Sequence, residues 1–243
     1  MASSKTVVAF DLYGTLLSTD SIATELAKLF GDDTAKSLAA SWRRYQLEYT
    51  WRINSMGLYR TFSEITRGAL HHAIAEAGLS VTNDDADRLM NAYNGLNVFP
   101  DVPEALKTVE KTPTIEALIF SNGTDEMVSA SVNTSPHLQA YAALFKGLVT
   151  VDGIRVFKPD KRTYDHLLRE VEKQDAPGDA WLVTANPFDV VGAAAAGLKT
   201  AWIDRAGKGW VDRLGDVIGG LKPTLVASGV DQAIEGIAGQ QND

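Results

Sequence analysis

Asp11 closes the apolar run Val7-Val8-Ala9-Phe10 and is followed by Leu12-Tyr13-Gly14-Thr15. A carboxylate at the carboxyl tip of a buried strand stands where open α/β sheets carry out their chemistry. Gly14 and Thr15 make the turn that follows, so backbone N–H groups and the Thr15 hydroxyl can orient the carboxylate as a nucleophile. A second strand end, Phe120-Ser121-Asn122-Gly123, offers a hydroxyl and an amide donor. Further on, Val156-Phe157-Lys158-Pro159-Asp160 precedes the helical pattern Arg162 to Glu172, with proline where a helix start tolerates it. Lys158 is thereby held at the edge of a site with its ammonium able to pair with carboxylates, and the Tyr164 hydroxyl follows one to two turns later. The fourth stretch, Trp181-Leu182-Val183-Thr184-Ala185-Asn186-Pro187-Phe188-Asp189, leads into the small-residue helix Val190 to Gly197. Asp189 falls at that helix's N-terminus, where the dipole favours its ionised form.

The elements that must position these residues follow from the alternation of short apolar runs with longer amphipathic stretches, the pattern of a parallel sheet covered by helices. Strands are expected at Val7 to Phe10, Ala117 to Phe120, Leu148 to Val151, Trp181 to Thr184 and Thr200 to Ile203. The roughly 100 residues between the first two far exceed what one crossover helix needs. Helices are expected there at Ile22 to Phe30, Ala35 to Trp51, Tyr59 to Ala77 and Asp84 to Leu96. The fold class is therefore α/β, a Rossmann-like parallel-sheet core over residues 1–17 and 98–243 with a helical domain inserted at 18–97. Phe99-Pro100-Asp101-Val102-Pro103 marks the return to the core before the helix Glu104 to Glu110, and the tail after Asp231 is expected to fray.

At 243 residues the chain can be one large domain or a core with a smaller insert. The formal net charge of −8 argues against a nucleic-acid or anionic-membrane partner, so an anionic substrate must meet locally placed cations. The lack of cysteine removes disulfides, thiolate metal sites and cysteine nucleophiles, and is compatible with a reducing compartment. No apolar run approaches the roughly 18 residues of a membrane span, and the first strand starts too early to leave room for a signal peptide; a cytoplasmic setting is expected. His71, His72, His137 and His166 lack the paired spacing of a metal site.

The order of the four motifs resembles the haloacid dehalogenase superfamily from residue 5 to about 205. The closer resemblance is to the L-2-haloacid dehalogenases. It rests on Phe10 to Leu16, on Trp42-Arg43-Arg44-Tyr45-Gln46-Leu47-Glu48-Tyr49-Thr50-Trp51 in the insert, on Ser121-Asn122-Gly123, on Lys158-Pro159-Asp160 with Tyr164, and on Asn186 with Asp189. Phosphatases of the superfamily carry a second aspartate two residues after the nucleophile and an acidic metal ligand in a Gly-Asp-Ser-x-x-Asp string. Here those positions are Tyr13 and Ala185. With two carboxylates missing and Lys158 present, the resemblance implies a pocket with no metal and no cofactor.

What the resemblance implies chemically is attack by Asp11 on the α-carbon of a 2-haloacid, release of halide, and hydrolysis of the resulting ester by water to a 2-hydroxy acid of inverted configuration. Arg43 and Asn122 would receive the halide. Ser121, with the backbone at Leu12 and Tyr13, would hold the substrate carboxylate. Asp189 would be the general base, positioned by Lys158, with Thr184 and Asn186 ordering the water. Tyr13, Leu47, Phe62 and Phe188 are candidate pocket walls, and of two adjacent arginines only Arg43 is expected to face the site, because neighbouring helical positions diverge by about 100°. The family often has tryptophan at Phe188, serine at Thr184 and no proline at Pro187, which bears on substrate size and water placement. It also often forms homodimers through the inserted cap. The alternatives are a Mg²⁺-dependent phosphatase of the superfamily and a relative that binds small carboxylates without turnover.

Overall fold

The computed structural model describes residues 5–135 and 138–240. Residues 1–4 and His137 lie outside the described residues. Six parallel strands form one sheet: β1 (Thr6–Phe10), β2 (Ile115–Ser121), β3 (Leu148–Thr150), β4 (Ala180–Thr184), β5 (Lys199–Ile203) and β6 (Leu225–Ala227), in the order β3-β2-β1-β4-β5-β6. β1 lies between β2 and β4, with Phe10 opposite both Ile119 and Val183. The strand order reverses between β1 and β4, and that switch point opens a crevice beyond the carboxyl ends of the strands. Four of the five residues of β1 and all five of β4 are buried, as a strand covered by helices on both faces requires.

Between β1 and the second strand run α1 (Ala23–Phe30), α2 (Asp32–Ser55), α3 (Phe62–Glu76) and α4 (Asn83–Tyr93). Gly31, at φ 76°, breaks α1 from α2 in a backbone conformation that side-chain-bearing residues avoid. α3 begins at Phe62 rather than at Tyr59 because Thr61 closes a capping box: its hydroxyl accepts the Glu64 N–H at 3.2 Å while Glu64 Oε2 accepts the Thr61 N–H at 2.8 Å. The chain leaves and re-enters the sheet side by side, the Ser18 N–H bonding to Asn97 O at 2.7 Å and the Phe99 N–H to Leu16 O at 3.0 Å.

The remaining helices are α5 (Val102–Lys111), α6 (Asp125–Thr134), α7 (Lys161–Glu170), α8 (Pro187–Ala195), α9 (Leu214–Val217) and α10 (Val230–Gly239). One expectation needs correction and one strand is new. The tail does not fray within residues 230–239: α10 packs against α5 and buries Val230, Ala233, Ile234 and Ile237. β6 carried no expectation, since three residues of which Val226 is 49% exposed leave too short an apolar run to stand out. Among the described residues no helix is long and apolar enough to cross a membrane.

Candidate active site

Asp11 sits just past β1 at the switch point, 6% exposed. Its Oδ2 accepts from the Thr15 hydroxyl at 2.7 Å, from Asn186 Nδ2 at 2.7 Å and from the Thr184 hydroxyl at 3.3 Å. Oδ1 accepts from Lys158 Nζ at 3.1 Å. The two oxygens therefore differ: one is saturated by neutral donors and the other has a single cationic partner. The turn makes this possible locally, because Gly14 adopts φ 87° and lets Thr15 fold back over the carboxylate. Thr15 Oγ in turn accepts the Ala185 N–H at 2.9 Å, tying the β1 turn to the end of β4.

Lys158 is buried, 1% exposed, and not solvated at the site edge. Its three N–H donors are all used: Asp11 Oδ1, Phe120 O at 2.8 Å and Asp189 Oδ2 at 2.9 Å. Burial works against its ammonium, but the facing Asp11 and Asp189 carboxylates outweigh that cost and hold its pKa above the ordinary lysine value. Asp189 lies in the first turn of α8, where its oxygens serve Lys158 and, at 2.7 Å, the Tyr164 hydroxyl instead of capping the helix. Burial pushes Asp189 above the ordinary carboxylate range, against the lowering effect of Lys158 and of the Tyr164 hydrogen bond. Burial and the Asp189 charge hold the Tyr164 phenol well above its usual value, so it stays a donor. The close approach of α8 to α7 depends on Gly192: a Cβ there would stand 2.4 Å from the Tyr164 hydroxyl and 2.8 Å from Pro159 Cβ.

From α2, Arg43 reaches the same place. Its Nη2 donates to Tyr13 O at 2.9 Å and to Asn186 Oδ1 at 3.4 Å, while Arg44 turns outward to Glu76 at 3.1 Å. Asp11, Tyr13, Arg43, Leu47, Phe62, Asn122, Lys158, Asn186 and Phe188 line one cavity of about 10 Å³. That is room for roughly one water molecule. Asn122 uses its Oδ1 on the Lys158 N–H at 2.8 Å and keeps Nδ2 for the cavity. Ser121 ends β2 inside the strand, fully buried, with its hydroxyl accepting the Gly123 N–H at 3.1 Å; it and Leu12 are packed behind the cavity wall. Thr15, Thr184, Tyr164 and Asp189 likewise form a buried layer behind Asp11 and Lys158.

Gln46 is a site residue that sequence reasoning missed. Its Oε1 accepts from Arg43 Nη1 at 2.7 Å and from the Tyr93 hydroxyl at 3.0 Å, and its Nε2 donates to Thr66 Oγ at 2.7 Å. A buried glutamine with every polar atom engaged aims the guanidinium. The i,i+3 spacing from Arg43 was the available signal; the partners on α3 and α4 were not legible. Among the described residues no group of three or more His, Asp or Glu side chains is placed to hold a metal ion. Ala185 brings no oxygen ligand where one would be needed, and Lys158 already supplies the positive charge between the two carboxylates.

A parallel sheet carries an aspartate at its switch point and a lysine between that aspartate and a second buried carboxylate, and comparison with known proteins gives the class: a hydrolase. A family model of haloacid dehalogenase-like hydrolases matches residues 5–197. The chain is 33% identical over 199 residues to (S)-2-haloacid dehalogenase 1 of Pseudomonas sp. (strain CBS-3), covering 82% of this chain and 84% of that one. It is 33% identical over 207 residues to (S)-2-haloacid dehalogenase 4A of Burkholderia cepacia, covering 85% and 86%. The structure superposes with a TM-score of 0.83, at 26% identity and over 97% of this chain and 99% of the other, on an L-2-haloacid dehalogenase from Xanthobacter autotrophicus with chloropropionic acid covalently bound. The chain belongs to the L-2-haloacid dehalogenase family of the haloacid dehalogenase-like hydrolases.

Proposed function

We propose that this chain hydrolyses short L-2-haloacids to D-2-hydroxy acids through an ester on Asp11, with no metal. The observation that carries the reading is the asymmetric clamp on Asp11: three neutral donors saturate Oδ2, while Oδ1 keeps lone pairs facing a single cation. In the first step Oδ1 attacks the α-carbon opposite the halogen; the C–O bond forms as the carbon–halogen bond breaks, and the halide leaves with the bonding pair. Arg43 and Asn122 Nδ2 supply donors for that charge. In the second step Asp189 takes a proton from water and hydroxide adds to Asp11 Cγ. Negative charge collects on Oδ2, where Thr15, Thr184 and Asn186 already donate. Breaking the Cγ–Oδ1 bond releases the 2-hydroxy acid, whose oxygen takes the proton back; the proton left over goes to solvent with the halide. Only the first step touches the stereocentre, so the configuration inverts once.

The charge balance supports the same reading. Asp11, Lys158 and Asp189 together carry one net negative charge in a buried place, and Arg43 stands beside it to admit an anionic substrate. We take residues 18–97 as a cap over the core at 1–17 and 98–243, supported by the paired strands of chain at Leu16 to Ser18 and Asn97 to Phe99. A homodimer formed through that cap is part of the proposal; Met56 and Leu58, 63% and 59% exposed, offer it apolar surface, and sedimentation measures it.

The test is halide release from the separate enantiomers of 2-chloropropionate in EDTA, with Asp11→Asn as the control. Consumption of the L-form alone, giving D-lactate, with a silent variant, is the expected result. Absence of halide together with Mg²⁺-dependent hydrolysis of a phosphate ester would place the chain with the phosphatases instead. A single turnover in H₂¹⁸O should leave the label on Asp11 and not in the lactate.

A further inference from the structure

Asn54 lies in the last turn of α2 on the insert, and its carboxamide makes both hydrogen bonds that a strand neighbour would make to the backbone of Phe157. Nδ2 donates to Phe157 O at 2.7 Å and Oδ1 accepts the Phe157 N–H at 3.0 Å. Phe157 is fully buried, stacked on Tyr59 at 5.4 Å between ring centroids and tilted against Phe62 at 6.1 Å, both residues of the insert. The next residue is Lys158. Its own N–H is held from the core by Asn122 Oδ1 at 2.8 Å, and its side chain has no freedom left once Nζ has bound Asp11, Phe120 O and Asp189. The backbone that sets the ammonium's position is therefore gripped from the insert by one residue and from the core by another. If the insert moves away, Asn54 goes with it and two backbone groups lose their partners, which links the two events energetically.

We propose that Asn54 is a positioning residue that couples closure of the insert to the placement of Lys158 between Asp11 and Asp189. The proposal rests on the hydrolytic reading for its catalytic consequence, but not for its geometry. Three groups face Asp189 and set its titration: Lys158, Asp11 and Tyr164. Displacing the ammonium takes away the strongest lowering influence among them, so Asp189 must then titrate at higher pH.

The experiment compares wild type with Asn54→Leu and Asn54→Ala, the second in case the first packs poorly. Tyr59→Phe is the control, since it removes the insert-to-core bond to Asp152 without touching the Phe157 backbone. Carboxyl ¹³C NMR without substrate, assigned by Asp189→Asn, follows the Asp189 titration; initial rates with L-2-chloropropionate give kcat and KM. Both Asn54 variants should titrate Asp189 at higher pH than wild type and lose about tenfold in kcat with little change in KM, while Tyr59→Phe leaves the titration in place. An unmoved titration in the Asn54 variants overturns the proposal, and so does an equal shift in Tyr59→Phe, which would mean general loosening of the insert. If wild type releases no halide from either enantiomer, the hydrolytic reading fails, and the NMR comparison still decides the coupling.

Discussion

Two adjacent arginines on α2 meet opposite fates, because a helix turns about 100° per residue. Arg43 enters the cavity and Arg44 pairs with Glu76 at the surface. Arg43→Gln should cost about 10²–10³ in kcat/KM for L-2-chloropropionate, the usual effect of removing a donor from developing charge. Arg44→Gln should stay within a few-fold, because an exposed ion pair contributes little; equal losses in the two would contradict the assignment. Asp189 must be ionised to accept a proton from water, and burial has raised its pKa, so activity falls on the acid side through that raised value. The Tyr164 hydrogen bond lowers it. Tyr164→Phe therefore moves the acid limb of ester hydrolysis to higher pH, which single-turnover rates across pH will show; an unmoved limb would remove Asp189 from the role of base. Lys158→Met leaves two buried carboxylates without their counter-charge, and urea unfolding should show a loss of about 3–5 kcal/mol.

At the scale of elements, α8 fixes where Asp189 points, and it does so through a glycine. Gly192→Ala puts a methyl group into the Tyr164 ring and Pro159, a cost of about 1–3 kcal/mol for overpacking. It should also displace the Tyr164 hydroxyl from Asp189, so its acid limb is expected to move in the same direction as that of Tyr164→Phe. A stability loss with the pH profile unchanged would show that α8 yields without disturbing the carboxylate. α10 is needed for a different reason, since its buried Val230, Ile234 and Ile237 cover α5. Each buried side chain of this size contributes about 1.5–3 kcal/mol, and the Val230 N–H also holds Asp101, which pairs with the Arg205 that binds Thr15 O, so removing the chain after Ser228 should abolish cooperative urea unfolding and activity together.

The whole molecule holds its site closed. The cavity at Asp11 has room for roughly one water as it stands, so a haloacid enters by parting the insert from the core and the two then close over it. The seam to be opened includes Trp51 against Phe188, with ring centroids 5.3 Å apart, and Asn54 against Phe157. Hydrogen exchange over residues 51–62 should slow when L-2-chloropropionate binds Asp11→Asn, because the ligand selects the closed arrangement. Unchanged exchange there would mean that the ligand enters by another route.

The sequence by itself determined the α/β class, the first five strands, the helical insert and the strand-tip carboxylate. Each of these is written in a local period or in a short motif, and a run such as Val7 to Phe10 has few ways to be satisfied other than in a buried strand. The order of the motifs carried the resemblance, and the resemblance added Arg43 to the candidates Asp11, Lys158 and Asp189. Tertiary structure decided the rest. That Lys158 spends all three donors at once, that Gln46 is anchored to Thr66 and Tyr93, that Gly192 makes room for Tyr164, and that Asn54 grips Phe157 across 103 residues of chain are facts about partners brought together from distant segments. Hydrophobic period and turn chemistry constrain neighbours along the chain. The partner of a buried polar group is set by packing in three dimensions, and no local pattern carries it.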